Sequence, residues 1–161
     1  MVREAAPVLV GYDGSELSKA AVRYAADLFP RRPIVVVTVW ERLLAAMPVG
    51  PPDALGVYAM PPDPETAEVV DRSQREHAAR VAGDGAELAR SLGLAAEPHA
   101  VSDEVDVADT LIDLARERSA AVLVVGSHGH SGLRSRLLGG VSRKLVEHCD
   151  RPVLIIRGES H

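Results

Sequence analysis

The sequence predicts an α/β fold: a single-domain, doubly wound sheet of five parallel strands with helices on both faces. Three observations predict it. Short aliphatic and β-branched runs recur along the 161 residues with almost no polar alternation, which is typical of strands buried on both faces. Segments with helical spacing separate these runs, so the pattern βαβαβαβαβ implies right-handed crossovers. The length fits one domain, residues 1–161.

The first part of the chain contains two strands, one helix and a long loop. Residues 7–11 are a short apolar run ended by glycine, and residues 34–40 are a second run rich in β-branched residues. Between them Ser15 can cap a helix that Pro30 ends. The apolar residues predicted on its inner face are Leu17, Ala21, Tyr24 and Leu28. Residues 41–64 hold six of the eleven prolines, which predicts a Pro-rich loop within the domain.

A long helix and an edge strand follow. Residues 65–92 carry apolar side chains near helical spacing, and Gly93 is placed as a C-terminal stop. The spaced residues are Val70, His77, Val81, Leu88 and Leu92. Gly83 and Gly85 weaken this helix by about 1 kcal/mol each relative to alanine. Residues 95–101 predict a strand in which Pro98 cannot donate a ladder hydrogen bond, so it belongs at a sheet edge.

The last third predicts two helices and two strands. Asp103 is expected to cap a third helix, and the acidic residues near its start are read as solvated surface rather than as a metal site. The inward residues are Val107, Leu111, Leu114 and Ala115, and the outward ones are Glu104, Asp106, Asp109 and Asp113. Residues 121–126 and 152–157 predict strands four and five. The helix between them, residues 139–148, is expected to bury Val141, Leu145 and Val146.

The predicted topology indicates where a ligand would bind. With strand three at an edge, the simplest strand order is 3-2-1-4-5, and the chain reverses between strands one and four. Ligands of such sheets bind at the carboxyl ends of the strands flanking that reversal, here the loops 11–15 and 126–140. Five of the thirteen glycines fall within 126–140. Glycine lets backbone N–H groups approach a phosphate, but a tight strand-to-helix turn explains the same glycines equally well.

Composition and motifs exclude several classes of protein. The net charge of −5 provides no basic field for nucleic acid. The start of the chain does not resemble a signal peptide, and the longest apolar runs, 34–40 and 120–125, are far shorter than the ~20 residues of a membrane span. We therefore expect a cytoplasmic protein without membrane partners, and we expect its single cysteine, Cys149, to be a buried core thiol. P-loop, dinucleotide and nucleophile-elbow signatures are absent.

Two motifs together resemble a known family. The spacing Gly126-x2-Gly129-x9-Gly139, after an apolar strand and before a helix, is similar to that of the nucleotide-binding branch of the universal stress proteins. The segment 11–15, Gly-Tyr-Asp-Gly-Ser, resembles the other signature of that family. The resemblance spans nearly the whole chain, and the two motifs together are far more specific than either alone.

The resemblance implies a ligand, a set of site residues and an assembly. In that family the glycine loop binds the phosphates of ATP, the aspartate after strand one contacts adenosine, and the end of strand two lies against adenine. It therefore implies ATP with Mg²⁺ as the ligand. The implied nucleotide-binding residues are Gly11, Asp13, Val39, Gly126, Ser127, His128, Gly129, Gly139, Gly140, Val141 and Ser142. It also implies a homodimer through the last strand, at Val153, Leu154, Ile155 and Ile156.

One position departs from the family pattern. Gly140 stands where the family has serine or threonine, and the next hydroxyl is that of Ser142, which could replace the missing contact or cap the helix. Losing one charge-assisted hydrogen bond would weaken binding by about 1.5–3 kcal/mol. His128 and His130 form at most an incomplete metal site. Arg134 and Arg136 could neutralise phosphate charge or be solvated surface residues.

The expected function is that of an ATP-binding stress-response or signalling module. In this interpretation nucleotide binding matters and catalysis is not required, with at most slow ATP hydrolysis. One alternative is an enzyme that uses ATP for phosphoryl or adenylyl transfer, although no activated nucleophile or general base stands out beside the glycine loop. The other alternative is a dimerisation module with a degenerate nucleotide site, for which Gly140 is the evidence.

Overall fold

The computed structural model describes residues 5–43, 62–103, 105–129 and 138–158. Within these ranges strands and helices alternate along the chain. The strands are β1 (Val8–Gly11), β2 (Ile34–Glu41), β3 (Ala96–Asp103), β4 (Val122–Gly126) and β5 (Val153–Ile156). The helices are α1 (Glu16–Leu28), α2 (Pro64–Ser91), α3 (Val107–Glu117) and α4 (Gly140–His148).

The five strands form one parallel sheet in the order β3-β2-β1-β4-β5, which confirms the predicted fold class and strand order. β1 lies at the centre, where Val10 is in register with Val36 of β2 and Val124 of β4. Pro98 lies in the edge strand β3, as its missing N–H group requires. The reversal of the chain between β1 and β4 therefore opens a crevice at their carboxyl ends.

Two apolar layers cover the sheet, one on each face. Val8 and Val10 of β1 pack with α1 and α2 on one face, whereas Leu9 packs with α3 and α4 on the other. All three residues are completely buried. Because successive side chains of a strand point to opposite faces, a strand covered on both sides must be apolar throughout. This explains the absence of polar alternation in the sequence.

α1 begins as predicted but presents a different face to the sheet. The Ser15 hydroxyl accepts a hydrogen bond from the Ser18 backbone N–H at 3.2 Å, which confirms the predicted cap. The expectation that Tyr24 and Leu28 face inward is wrong, since both side chains are more than half exposed. The buried residues are Ser18, Ala21, Val22 and Ala25. Small side chains let the helix lie close to the sheet, which leaves no room beneath it for large ones.

α2 is 28 residues long and is capped by Asp63, whose carboxylate accepts a bond from the Thr66 N–H at 2.9 Å. Gly93 adopts φ +87°, which confirms the predicted stop. The expected apolar spacing is wrong for His77 and Leu92, which are both exposed. The buried residues are small: Ala67, Ala78, Ala82, Gly85, Ala86 and Ala89. α2 therefore also lies close to the sheet through residues without bulky side chains.

The caps and inner faces of α3 and α4 correct three further predictions. Asp103 does not cap α3, because β3 continues through it; Asp106 does, accepting a bond from the Asp109 N–H at 2.8 Å. Val141 and Val146 do not face inward, being 39% and 56% exposed. The buried residues of α4 are Ser142 and Leu145.

Some predictions fall on or near residues that the structure does not describe. The Pro-rich segment 41–64 lies between β2 and α2, but residues 44–61 are outside the described ranges, as are Glu104, His130, Arg134 and Arg136. Cys149 packs against the α3/α4 core layer but is only partly buried, so the expectation of a buried core thiol is met in part. No helix within the described ranges is long and apolar enough to cross a membrane.

Candidate functional site

A cavity of about 560 Å³ opens at the carboxyl ends of β1 and β4, where the topology predicts a ligand site. Its volume is in the range of small-molecule sites, about 300–1,000 Å³. The predicted site residues that line it are Gly11, Asp13, Val39, Gly126, His128, Gly129, Gly139, Gly140, Val141 and Ser142. Ser127 is the exception and lies behind the wall. The structure therefore brings together residues that are up to 131 positions apart, from Gly11 to Ser142.

The β1–α1 loop is held against β2 by its backbone. The Tyr12 N–H donates to the Val37 carbonyl at 2.8 Å, and the Thr38 hydroxyl donates to the Tyr12 carbonyl at 2.8 Å. Asp13 then accepts a bond from the Ser15 N–H at 2.9 Å through Oδ1, which shapes the turn into α1. Asp13 therefore stabilises its own loop and also lines the cavity.

Tyr12 connects this loop to α2. Tyr12 is 6% exposed, and burial raises the pKa of its phenol. The phenol is therefore uncharged at pH 7. A Cβ atom placed on Gly85 of α2 would lie 2.9 Å from the Tyr12 ring and 2.7 Å from Val36. Gly85 therefore permits α2 to pack directly on the loop that forms one wall of the cavity.

The β4–α4 loop needs glycine where it meets its neighbours. A Cβ atom on Gly129 would lie 2.9 Å from Oδ2 of Asp13, so the two loops of the site approach each other at this residue. A Cβ atom on Gly139 would lie 3.2 Å from the Ser127 carbonyl. Gly129 thus lets the two loops approach each other, and Gly139 lets the β4–α4 loop close on itself before α4.

The α4 N-terminus faces the cavity without a side-chain cap. Gly139 is its N-cap residue and has no side chain to bond the first-turn N–H groups. The Ser142 hydroxyl lies 2.9 Å from the Gly126 carbonyl and 3.1 Å from the Ser127 carbonyl, so it donates to the end of β4. Ser142 therefore anchors α4 to the sheet and does not replace the hydroxyl missing at Gly140. The exposed N–H groups and the helix dipole favour an anion.

Ser127 has a structural position behind the cavity. Its N–H donates to the Ile156 carbonyl of β5 at 2.8 Å, and its carbonyl accepts from the Gly139 N–H at 2.8 Å. Its hydroxyl lies 3.1 Å from Nδ1 of His128 and is buried. The Ser127 backbone therefore joins the edge strand to the start of α4, while His128 extends to the cavity wall.

A charged cluster holds α3 and α4 together beside the cavity. The Lys144 ammonium lies 2.5 Å from Oδ2 of Asp106 and 2.8 Å from Oδ2 of Asp109. The hydrogen bond from Lys144 holds the pKa of Asp106 below its usual value, and the bonds to Asp106 and Asp109 raise the pKa of Lys144. Because α3 and α4 both line the cavity, this cluster sets the distance between two of its walls.

Replacing the central cation should therefore produce a pH-dependent loss of stability. We expect Lys144→Met to lower the melting temperature at pH 7 by about 2 °C, since partly exposed pairs contribute little. A carboxylate with a lowered folded-state pKa stabilises the protein above its unfolded-state pKa of about 4, and this stabilisation is lost as the pH falls through the folded-state value. The melting curves of the two proteins, followed by circular dichroism, should converge between pH 5 and pH 2. A gap that stays constant over this range would contradict the proposed role of the pair.

Several lining residues were not named individually as site residues, although Tyr12, Ser15 and Leu138 lie in the predicted loops 11–15 and 126–140. The others are Ser18, Val37, Val107, Leu111, Val125 and Arg143. Val107 and Leu111 were expected on the inner face of α3, but nothing in the sequence placed that face at the ligand site. Arg143 lies one helical turn after Gly139, so helical spacing could have identified it. Within the described ranges no three His, Cys, Asp or Glu side chains gather to hold a metal ion.

The fold and the cavity define an α/β protein with a cavity at the switch point of a parallel sheet. Residues 5–157 match the model of the Universal stress protein family, and the chain belongs to this family. A universal stress protein of Mycolicibacterium smegmatis is 32% identical over 154 residues, which are 94% of this chain and 48% of the relative. The chain thus spans about half the length of that relative. The universal stress protein YxiE of Bacillus subtilis is 28% identical over 93% of this chain and 97% of its own length.

Solved structures share the fold at low sequence identity. A universal stress protein of Archaeoglobus fulgidus in complex with dAMP aligns with a TM-score of 0.62 at 20% identity, covering 96% of this chain and 99% of its own. A universal stress protein family protein of Arabidopsis thaliana with AMP bound has a TM-score of 0.60 at 19% identity, covering 96% and 92%. A universal stress protein in complex with cAMP has a TM-score of 0.60 at 24% identity, covering 94% and 95%.

Proposed function

We propose that the cavity binds an adenine nucleotide and that the protein is a nucleotide-dependent stress-response or signalling module of the cytoplasm. One observation carries the proposal: a single cavity combines an apolar wall with an uncapped helix N-terminus. Val39, Val107 and Leu111 supply apolar surface. Gly139 and Gly140 supply the start of α4. A ligand with a flat apolar part and an anionic part matches both.

The two parts of a nucleotide fit different walls. In the proposed complex adenine lies against the apolar wall at the end of β2, Asp13 accepts hydrogen bonds from the ribose, and the phosphates lie at the α4 N-terminus. The complexes of family members with AMP, dAMP and cAMP support an adenine nucleotide as the ligand class. ATP with Mg²⁺ is the specific ligand that we propose.

The side chains around the cavity favour binding over catalysis. The Ser15 hydroxyl accepts from the Ser18 N–H, and the Ser18 hydroxyl donates to the Ser15 carbonyl. The Ser142 hydroxyl donates to the end of β4. These hydroxyls, which line the cavity, are thus already engaged in holding the backbone and are not paired with a base. ATP turnover by the purified protein would support the alternative of an ATP-using transferase or hydrolase.

The proposed function is tested by identifying the bound ligand. We expect mass spectrometry of the denatured, freshly purified protein to release an adenine nucleotide. We also expect isothermal titration of ligand-free protein with ATP and Mg²⁺ to give saturable binding, with GTP as the matched control. The ATP is expected to remain intact through the titration. No binding at millimolar ATP would refute the proposal and favour the degenerate dimerisation module.

We further propose that the protein forms a homodimer through β5. Within the described residues β5 pairs only with β4, and its sequence Val-Leu-Ile-Ile leaves an apolar strand at the sheet edge. Unprotected edges of this kind aggregate, and pairing with a second copy about a two-fold axis would cover the edge.

Introducing a charge on this strand should separate the subunits. We expect Ile155→Lys to shift the protein toward monomer in analytical ultracentrifugation, because a lysine at the subunit contact is costly to bury. Val69→Lys is the matched control, since Val69 is 61% exposed on α2 and should not affect assembly. Circular dichroism would verify that both variants are folded. Wild-type protein that sediments as a monomer at micromolar concentration would refute the dimer.

A further inference from the structure

Arg143 is a cation in the cavity wall whose role the family motif does not describe. It lies in the first half of α4 and lines the cavity together with Gly139 and Gly140. Its backbone N–H donates to the Gly139 carbonyl at 3.0 Å, so its side chain leaves the helix one turn above the N-cap. Because helical side chains tilt toward the N-terminus, a guanidinium at this position can reach over the turn that begins at Gly139.

Arg143 differs from the neighbouring lysine in its partners. Lys144 bonds Asp106 and Asp109 and holds α4 to α3. Arg143 has no carboxylate partner in the part of the chain that the structure describes. An arginine held at a cavity wall without a counter-ion is suited to an anionic ligand, because its planar group bonds two oxygens at once.

The cavity is lined by a negatively charged side chain as well as by this cation. Asp13 contributes a carboxylate to the same cavity, and its Oδ2 lies close to Gly129. A phosphate would be attracted to α4, where Arg143 and the helix dipole act together. Among the lining residues that the structure describes, His128 is the other side chain that can carry a positive charge. The distribution of charge therefore orients a nucleotide with its phosphate toward Arg143 and its sugar toward Asp13.

We propose that Arg143 binds the phosphate of the nucleotide and makes the site select phosphorylated adenosine over adenosine. The inference rests on the proposed nucleotide site and adds the group that reads the phosphate. The uncapped N–H groups of α4 supply part of the attraction. Arg143 supplies the full positive charge, which those groups lack.

The test compares AMP and adenosine in isothermal titrations of four proteins. We expect Arg143→Gln to weaken AMP binding about tenfold, as for loss of one charge-assisted contact, while adenosine affinity stays within about twofold. The AMP affinity of Arg143→Lys should lie between those of the wild type and Arg143→Gln, because lysine keeps the charge but cannot bond two oxygens at once in a fixed geometry. Arg80→Gln, which removes the same charge from an exposed position of α2, should change neither affinity.

The outcomes separate this inference from the proposed function. Equal loss of AMP and adenosine affinity in Arg143→Gln would mean that Arg143 only supports the fold of the site, and the inference would be wrong. Unchanged AMP affinity would also overturn it, while nucleotide binding by the wild type would still stand. Wild-type protein that binds neither AMP, ATP nor adenosine would overturn both. Since Arg143 is exposed, the variants should fold, which circular dichroism would verify.

Discussion

Gly129→Val should abolish nucleotide binding while leaving most of the stability of the ligand-free protein. A side chain at this position would meet Oδ2 of Asp13, which can move because it is the end of a side chain. The movement displaces the carboxylate proposed to bind ribose and blocks the approach of the backbone to phosphate. At a hundredfold excess over Kd, ATP stabilises the wild type by about 2.7 kcal/mol, or about 5–10 °C in melting temperature. The variant should show no such shift in differential scanning fluorimetry.

Gly140→Ser, in the same loop, is the variant to compare with Gly129→Val. No atom lies within 4 Å of a Cβ placed on Gly140, so a side chain there is accommodated without strain. The new hydroxyl would restore the group found in the family pattern, and we expect a larger ATP-induced shift than in the wild type. A normal shift in Gly129→Val would mean that the glycine serves only the turn. A smaller shift in Gly140→Ser would contradict the proposed place of the phosphates.

Alanine at Gly83 and at Gly85 should change stability in opposite directions, although both glycines lie within α2. Glycine costs a helix about 1 kcal/mol relative to alanine. A Cβ atom on Gly83 would meet nothing within 4 Å, so Gly83→Ala should stabilise the protein by about that amount. A Cβ atom on Gly85 would lie 2.7 Å from Val36 and 2.9 Å from the Tyr12 ring. In Gly85→Ala the added methyl group would overpack this contact at a cost of up to about 3 kcal/mol. This cost exceeds the helical gain, so we expect a net destabilisation of about 2 kcal/mol.

The measurement is the free energy of unfolding in urea for both variants and the wild type. Because Tyr12 lines the cavity, Gly85→Ala should also weaken ATP binding, whereas Gly83→Ala should not. If both alanines stabilise the protein, α2 packs less tightly on β2 than the distances indicate. If both alanines destabilise the protein, the methyl group added at Gly83 makes an unfavourable contact with residues outside the described ranges. That contact then costs more than alanine contributes to the helix.

The strands and their order could be predicted because the residues that determine each strand lie within that strand. β-Branched runs such as residues 34–40 have few alternatives to a buried strand, and Pro98 identified the edge. The inner faces of the helices could not be predicted in the same way. Tyr24 and Val146 were placed inside because large apolar residues were assumed to mark the core. In α1 and α2 the close approach of helix to sheet selects alanine, glycine and serine instead, and this distance is a property of the assembled layers.

The candidate site likewise combines residues that short motifs predict with contacts that form only in the folded protein. The glycine loop and Asp13 were found by motif, and the structure brings them to one cavity. The role of the Ser142 hydroxyl was left open, because its partners are the carbonyls of a strand 15 or 16 positions away in the sequence. The sequence predicts Asp103 as a cap because it ends β3 at residue 101, two residues before the actual end of the strand. Each error concerns a contact made only after the layers assemble.

The position of Ser127 connects two proposed properties of the protein, the formation of a dimer and the binding of a nucleotide. Its N–H bonds the last residue of β5 and its carbonyl bonds the N-cap of α4, so one peptide segment borders both the proposed subunit contact and the proposed phosphate site. If the two binding equilibria are coupled through this segment, each changes the other by the same factor. A nucleotide that tightens the dimer would then bind the dimer more tightly than the monomer by that same factor. Dissociation constants for the nucleotide would in that case be comparable only at a stated subunit concentration.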